Sequence, residues 1–192
     1  GTITGHVLLG GGNDLYVATG GKVTGNLDMG DGNDTVLTRN GAALDVSGTV
    51  TGGGGADAYG RSFTSSGTFD LATNAIPAGF EMHGVEASGA NTEVTVMSAT
   101  TQNRSLRMLG DGKITNNANF DVVDNENGDI YAAIEVADPR YEAKLALVNN
   151  GSIKGEVAGI FSLNTLSSLT NTGAIDTRYD GVAVINEYGA FS

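Results

Sequence analysis

The chain has 192 residues and a formal net charge of −12, with 30 Gly, 2 Pro and no Cys. The length suits one domain, and a Gly-rich composition with 40% apolar residues favours a β-rich, turn-dense fold over a disordered tail. Because no Lys or Arg cluster is present to neutralise phosphates, nucleic-acid and membrane-surface binding are disfavoured. The lack of Cys removes disulfides and Cys-based sites, and no apolar run is long enough to span a bilayer.

The first sixty residues repeat with a period of about twenty. Residues 1–17 align with residues 21–37 and, in a shortened form, with residues 48–59. Apolar residues alternate within each copy, which is the pattern of a strand with one buried face. The aligned pairs are Ile3 with Val23, Val7 with Leu27, Leu9 with Met29, Asn13 with Asn33, Asp14 with Asp34 and Tyr16 with Val36.

Strands this short cannot bury their inner face alone, so we predict that the units coil and stack at about 4.8 Å per turn. The predicted fold is all-β: a right-handed, single-stranded parallel β-helix, or solenoid, with short corner loops. Residues 1–192 then form one domain of about nine coils and on the order of 40 Å long. Residues 1–60 carry the Gly-Asn-Asp corners, and residues 61–192 form less regular coils with a loop near 137–143.

A second motif returns later in the chain, in which an Asn precedes a Gly and then an apolar residue. It occurs at Asn149–Ile153 and 22 residues later at Asn171–Ile175, with weaker echoes at Asn117–Phe120 and Glu187–Phe191. Stacked Asn side chains at one corner can satisfy one another and the corner backbone. The motif therefore extends the predicted stacking to the later turns.

Two segments depart from the repeat. Residues Ile76–Glu81 form a predicted turn that leads into a strand. Asp138–Glu142 interrupts two alternating runs, and Asp before Pro is also the pattern of a helix N-cap. We favour a protruding corner loop there, because the residues that follow alternate like a strand. Such loops and the long lateral face are where we expect binding.

These repeats carry a family resemblance. The corner units of residues 1–17, the passage from Ala78–Met82 to Thr92–Val96, and the repeats LVNNGSIKG and LTNTGAID resemble passenger domains of bacterial autotransporters. The resemblance implies a β-helical segment of a larger Gram-negative protein, secreted or displayed at the cell surface through a part outside this chain. It also implies a structural or adhesive role and a host or bacterial surface molecule as partner, such as a glycan or a protein. The unpaired strand edges at the end of the predicted rod separately predict self-association end to end.

The corners at Gly10–Tyr16 and Gly30–Val36 also look like the calcium-binding turns of RTX proteins. In that interpretation Asp14, Asp31 and Asp34 are candidate calcium ligands, since calcium takes six to eight oxygens. The corners come once in about twenty residues rather than every nine, which counts against it. The alternative is structural: Gly supplies a positive φ, and Asp or Asn accepts hydrogen bonds from local backbone amides.

A carbohydrate-active β-helix is a further alternative, with Asp14, Asp34 and Asp57 lined up along one edge. Each of these acids is part of the repeat, as expected of a turn residue, and the nearby Tyr16 and Tyr59 align with Val36, which indicates corner packing rather than a surface that stacks on a sugar. We therefore predict a protein without catalytic residues or a cofactor. His6 is expected at the surface and His83 in packing.

Overall fold

The computed structural model describes residues 1–123, 132–140, 144–163, 166–179 and 181–187. Within these ranges the chain forms β-strands, no α-helix, and one 3-10 turn at Leu71–Thr73. Accordingly, the described residues contain no helix with the length and apolar character needed to cross a membrane.

The strands are short and follow one another closely. In the first half they are β1 Thr2–Ile3, β2 Val7–Leu8, β3 Leu15–Ala18, β4 Lys22–Val23, β5 Leu27–Asp31, β6 Thr35–Arg39, β7 Asp45–Val46, β8 Val50–Gly54, β9 Ala58–Phe63, β10 Gly67–Asp70 and β11 Met82–Ala87. In the second half they are β12 Glu93–Met97, β13 Leu106–Gly110, β14 Lys113–Asn116, β15 Phe120–Asp121, β16 Ala132–Ala137, β17 Leu145–Asn149, β18 Ser152–Gly155, β19 Ala158–Leu163, β20 Leu166–Asn171, β21 Ala174–Thr177 and β22 Val182–Glu187.

Every strand pair is parallel, and the strands stack into a β-solenoid of about seven turns. One eight-stranded sheet, which we call the long sheet, runs through all turns in the order β3-β6-β9-β11-β13-β16-β19-β22. Two three-stranded sheets, β1-β4-β7 and β2-β5-β8, complete the first turns. A five-stranded sheet, β10-β12-β14-β17-β20, and a three-stranded sheet, β15-β18-β21, complete the later ones. The predicted parallel β-helix is confirmed.

The predicted number of coils was wrong, because the period lengthens along the chain. Leu15 pairs with Thr35, twenty residues on, and Thr35 pairs with Ala58. Leu106 pairs with Ile134, so that turn takes 28 residues. About seven turns therefore replace the nine predicted from a constant period. At the usual strand spacing the rod is about 34 Å long.

The core fills the inside of the solenoid in two clusters. The cluster of the first turns has only Leu27, Met29, Val36 and Phe80 as fully buried members, whereas the cluster of the later turns is much larger and dominated by Val, Ile and Leu. The first turn contributes little, since Ile3 is 48% exposed. Its strand β1 has a neighbour on one side only, so the predicted inner face of this copy is not sheltered.

One wall of the solenoid is interrupted. The sheet β2-β5-β8 ends at β8, and the next turn passes this wall as residues 74–81 without forming a strand. The wall resumes above it, where Gln102 bridges Phe120. The predicted turn into a strand at Ile76–Glu81 is confirmed, because β11 begins at Met82.

Candidate functional site

Four acidic side chains stack at one corner of the solenoid, immediately before strands of the long sheet. Asp34 Oδ1 accepts a hydrogen bond from the Asp14 N–H at 2.7 Å, and Asp57 Oδ1 accepts from the Asp34 N–H at 2.8 Å. Glu81 Oε2 accepts from the Asp57 N–H at 2.9 Å. We call these four residues the acid column. The carboxylates of Asp34, Asp57 and Glu81 each accept from the backbone of the preceding turn, so the column joins one turn to the next.

Glycine allows the turns to approach closely enough at this corner. Gly30 and Gly53 have φ values of 101° and 113° and lie above one another. A Cβ on Gly53 would lie 1.6 Å from the Gly30 oxygen, and a Cβ on Gly30 would lie 1.6 Å from the Gly10 oxygen. Any other residue would force the backbones apart. The Gly positions of the repeat are therefore explained by contact between turns.

Asparagine side chains form a second set of ties in the opposite direction. Asn13 Oδ1 accepts from the Asn33 N–H at 2.9 Å, and Asn33 Oδ1 accepts from the Ala56 N–H at 3.0 Å. On another corner, exposed His6 accepts from the Asn26 N–H through Nδ1. The surface position predicted for His6 is confirmed. The local Asx turns predicted for these corners are not what the structure shows, since the bonds join residues twenty or more positions apart.

The acid column is buried and carries unpartnered oxygens. Asp34 and Asp57 are completely buried, and within the described residues the second carboxylate oxygens of Asp14, Asp34 and Asp57 have no hydrogen-bond partner. Burial raises the pKa of Asp57 to about 6, and the nearby charge of Asp34 adds to this effect. Burial likewise raises the pKa of Asp34, with Asp14 contributing. The raised pKa values mean that Asp34 and Asp57 hold protons more tightly than free carboxylates do.

A buried arginine reaches the acid column from a later turn. Arg107 of β13 is 2% exposed, and its Nη1 donates to the Asp34 carbonyl at 2.7 Å. Its Nη2 donates to the Ala56 carbonyl at 2.8 Å, and its Nε pairs with Glu135 at 2.7 Å. The guanidinium charge lowers the pKa of Asp34 and Asp57, against the effect of burial. Arg107 thus connects residues 51 to 73 positions apart and places a positive charge near the column.

The structure separates the predicted calcium ligands. Asp14 and Asp34 lie in the acid column, but the Oδ1 atom of Asp34 is engaged by a backbone N–H. Asp31 lies at the exposed end of β5, beside Gly54 of the next turn. In the described part of the chain, no group of three or more His, Cys, Asp or Glu side chains is placed to hold a metal ion. Calcium binding stays a prediction for a titration to test.

The predicted alignment of Asp14, Asp34 and Asp57 is confirmed, but its geometry is that of a structural tie. In each pair one carboxylate oxygen accepts from a backbone amide one turn away. A hydrolytic pair needs one carboxyl group free to protonate a leaving group and another free to activate water or attack. Carboxylates committed to the backbone are poorly placed for either role.

The corner loop forms a second charged network that sequence reasoning missed. Arg140 Nη2 donates to Glu86 Oε1 at 2.7 Å and to Asp138 Oδ2, and Asp138 Oδ2 also accepts from the Gly110 N–H at 3.0 Å. Burial would raise the pKa of Asp138, but the Arg140 hydrogen bonds and charge outweigh it and the pKa lies below its usual value. Asp138–Arg140 form a turn held against the long sheet, and Tyr141 and Glu142 lie outside the described residues.

The later turns have an asparagine ladder in place of the acid column. Asn116 Nδ2 donates to Asn149 Oδ1 at 2.9 Å, and Asn149 Nδ2 donates to Asn171 Oδ1 at 2.8 Å. Asn116 and Asn149 are completely buried. The stacking predicted from the two Asn-Gly motifs is confirmed, and the echo at Asn117–Phe120 stacks beside the ladder, where Asn150 Nδ2 donates to Asn117 Oδ1. The echo at Glu187–Phe191 lies largely outside the described residues.

His83 packs inside the solenoid near the interrupted wall, as predicted. It is 5% exposed, and its Nδ1 lies 3.1 Å from Asn74 Nδ2. Burial lowers its pKa to about 4, and the positive charge of Arg104 adds to this effect. His83 is therefore neutral at pH 7. Tyr59 lies one turn below it and contacts the Phe80 ring edge-on at 5.8 Å.

Comparison with known proteins adds no further constraint on the site. The chain matches no protein-family model, no curated protein and no solved structure. The geometry described above is therefore the basis for the functional assignment.

Proposed function

We propose that this chain is a structural and adhesive β-helix segment of a bacterial protein that is secreted or displayed at the cell surface, similar to an autotransporter passenger, and that it performs no catalysis. The observation that carries this proposal is the use of the repeated polar residues. The acid column and the Asn side chains of the first turns accept hydrogen bonds from backbone amides of neighbouring turns. Side chains used in this way build a rod that holds other parts of a protein at a distance.

The proposed partners follow from the same geometry. A rod of about seven turns offers long lateral faces, and an acidic chain is better suited to a surface glycan or protein than to a nucleic acid. The exposed strands of the first turn are available for stacking, so end-to-end association belongs to the proposal. These roles place the chain outside the cytoplasm, on a protein whose membrane anchor is another part of it.

Surface display is tested with intact cells that make the full-length protein. A protease that cannot enter the cells is added, and the chain is followed with an antibody raised against it. We expect the chain to be cleaved while a cytoplasmic marker stays protected. Cleavage only after the cells are lysed would contradict surface display.

The absence of catalysis is tested on a panel of acidic and neutral glycans. We expect no shortening of any glycan by the purified chain. Release of fragments that is lost in Asp34→Asn would instead show a carbohydrate-active enzyme. Asn preserves the side-chain oxygen that accepts the Asp14 N–H, so this variant separates a chemical role of Asp34 from its structural one.

A calcium-stabilised module is the second candidate, and the unpartnered oxygens of Asp14, Asp34 and Asp57 favour it. Calcium would supply the positive charge that these oxygens lack. A rise in melting temperature with calcium that chelator reverses would support this candidate. An unchanged melting temperature in both conditions would leave the acid column as a purely structural device.

A further inference from the structure

Ligand sites are expected where the solenoid departs from its repeat, because the repeated polar residues are already used between turns. One such departure is the interrupted wall, where residues 74–81 pass without a strand between β8 and the Gln102–Phe120 bridge. A depression of about 600 Å³ lies at this place. Its size is within the range of about 300 to 1,000 Å³ that is typical of small-molecule sites.

The lining of this depression combines one cation, one carboxylate, one amide side chain and an apolar surface. The residues that carry the argument are Ile76, Pro77, Glu81, Asn103, Arg104 and Val123. We propose that the depression binds a carboxylate-bearing sugar, with Arg104 holding the carboxylate. This inference rests on the proposed function, since a sugar acid is a partner that a surface protein meets on cells.

Arg104 is fixed in place and has binding capacity left. Its Nη1 donates to the Phe80 carbonyl at 2.8 Å, which anchors one end of the guanidinium. No ion pair joins Arg104 to a carboxylate among the residues described, unlike Arg107 and Arg140. A guanidinium has five N–H donors in a planar fork that matches a carboxylate. The remaining donors can therefore take a ligand carboxylate.

The neighbouring groups favour a hydroxyl-bearing ligand over a simple acid. Glu81 is held by the Asp57 N–H through Oε2, which leaves Oε1 as an acceptor for a hydroxyl group. The Asn103 amide can donate and accept. Ile76, Pro77 and the half-exposed Val123 offer apolar surface for the C–H face of a sugar ring.

The site is tested by isothermal titration calorimetry of the purified chain. The probes are D-glucuronate and N-acetylneuraminate. D-Glucose, which lacks the carboxylate, and acetate, which lacks the sugar ring, are the controls. We expect at least one sugar acid to bind, and D-glucose and acetate to bind at least tenfold more weakly. Arg104→Gln should weaken the sugar acid about tenfold or more, because a charge-assisted pair is lost. Arg39→Gln, outside the depression, should bind like the parent chain.

A second variant keeps the test decisive if Arg104→Gln fails to fold. Val123 is 52% exposed, so Val123→Asp should fold and place a negative charge at the rim that repels the sugar acid. Absence of binding by the parent chain, or equal binding by Arg104→Gln, would overturn the site. Neither result affects the protease test of surface display, so the sugar-acid site can be wrong while the proposed surface display is correct, and the reverse.

Discussion

The first turns and the later turns of the solenoid reach the same stacking by different means. Up to β8, few apolar side chains are completely buried, with a core cluster built on Leu27, Met29 and Val36, and carboxylates and amides bind the backbone of adjacent turns. From β11 onward a much larger aliphatic cluster fills the inside, and the ladder of Asn116, Asn149 and Asn171 joins side chain to side chain. Polar ties between turns are therefore most numerous where burial contributes least.

The comparison also shows what each kind of tie requires. An acidic tie leaves one buried oxygen without a partner, as at Asp34 and Asp57. Asn149 instead uses both its oxygen and its nitrogen, since Nδ2 also donates to the Gly151 carbonyl at 3.0 Å. In the first turns, burying neighbouring carboxylates therefore costs electrostatic free energy. The positive charge of Arg107, which comes from a later turn, offsets part of this cost.

The largest effect is expected from removing this connection between the two regions. Arg107→Met should lower the free energy of unfolding by about 3–5 kcal/mol, because Glu135 and two buried carbonyls lose a charged partner. Arg178→Met is the control, since its ion pair with Asp121 is solvent-exposed and should contribute less than about 1 kcal/mol. Chemical denaturation measures both, and equal losses would contradict the role of Arg107.

The asparagine ladder should be the next most sensitive feature. Asn149→Ala removes one of the two acceptors of the buried Asn116 amide and the donor to Asn171, and should cost about 2–4 kcal/mol. Asn150→Ala on the same corner removes two exposed bonds, one to Asn117 and one from the Thr172 hydroxyl, and should cost less than about 1 kcal/mol. Thermal melts followed by circular dichroism compare the two. A loss at Asn150 as large as that at Asn149 would contradict the ladder.

Because the turns are in close contact, we expect a loss of stability when a Cβ is added to a glycine that touches the next turn. A Cβ on Gly52 would lie 2.3 Å from both Asp57 Oδ2 and the Gly79 oxygen, so Gly52→Ala should destabilise the fold by about 1–3 kcal/mol. A Cβ on Gly11 meets nothing closer than the Asp31 oxygen at 3.9 Å, so Gly11→Ala should be nearly neutral. The difference in denaturation midpoint is the readout. Equal midpoints would show that the first turns are packed more loosely than described.

The smallest predicted change in the free energy of unfolding is a gain in stability rather than a loss. The pKa of Asp57 is raised to about 6 in the folded chain, so the charged form destabilises the fold and stability falls as pH rises from about 4 through 6. Asp57→Asn should therefore stabilise by about 1–2 kcal/mol at pH 7.5 and by almost nothing at pH 4. The contribution of His83 is common to both proteins and cancels in the difference. A gain that is independent of pH would contradict a buried, charged Asp57.

The sequence predicts the first turns well because their period is constant. The pairing of Tyr16 with Val36 and of Ile3 with Val23 follows directly from an offset of twenty. The later turns differ, because loops of unequal length between short strands change the offset without leaving a local signal. The offset of 22 between Asn149 and Asn171 is confirmed, whereas the offset of 33 between Asn116 and Asn149 could not be obtained from the repeat.

The candidate site was predictable only in part for the same reason. Asp14, Asp34 and Asp57 were found through the repeat, and Glu81 was missed although Glu81-Met82 aligns with Asp57-Ala58 at an offset of 24. Arg107 contacts the column from 73 residues away, and no periodic pattern indicates such a contact. The depression beside Arg104 exists because the wall is interrupted, and an interruption has no repeat to reveal it.

The most direct test of the account is an NMR measurement of couplings across hydrogen bonds in the acid column. We predict a coupling between the Asp34 amide and the side-chain carboxyl carbon of Asp57, and another between the Asp14 amide and the carboxyl carbon of Asp34. These couplings join residues 20 and 23 positions apart, which only parallel stacking in register allows. Couplings from these amides to carboxyl groups of their own or adjacent residues would contradict the stacked column and the proposed rod.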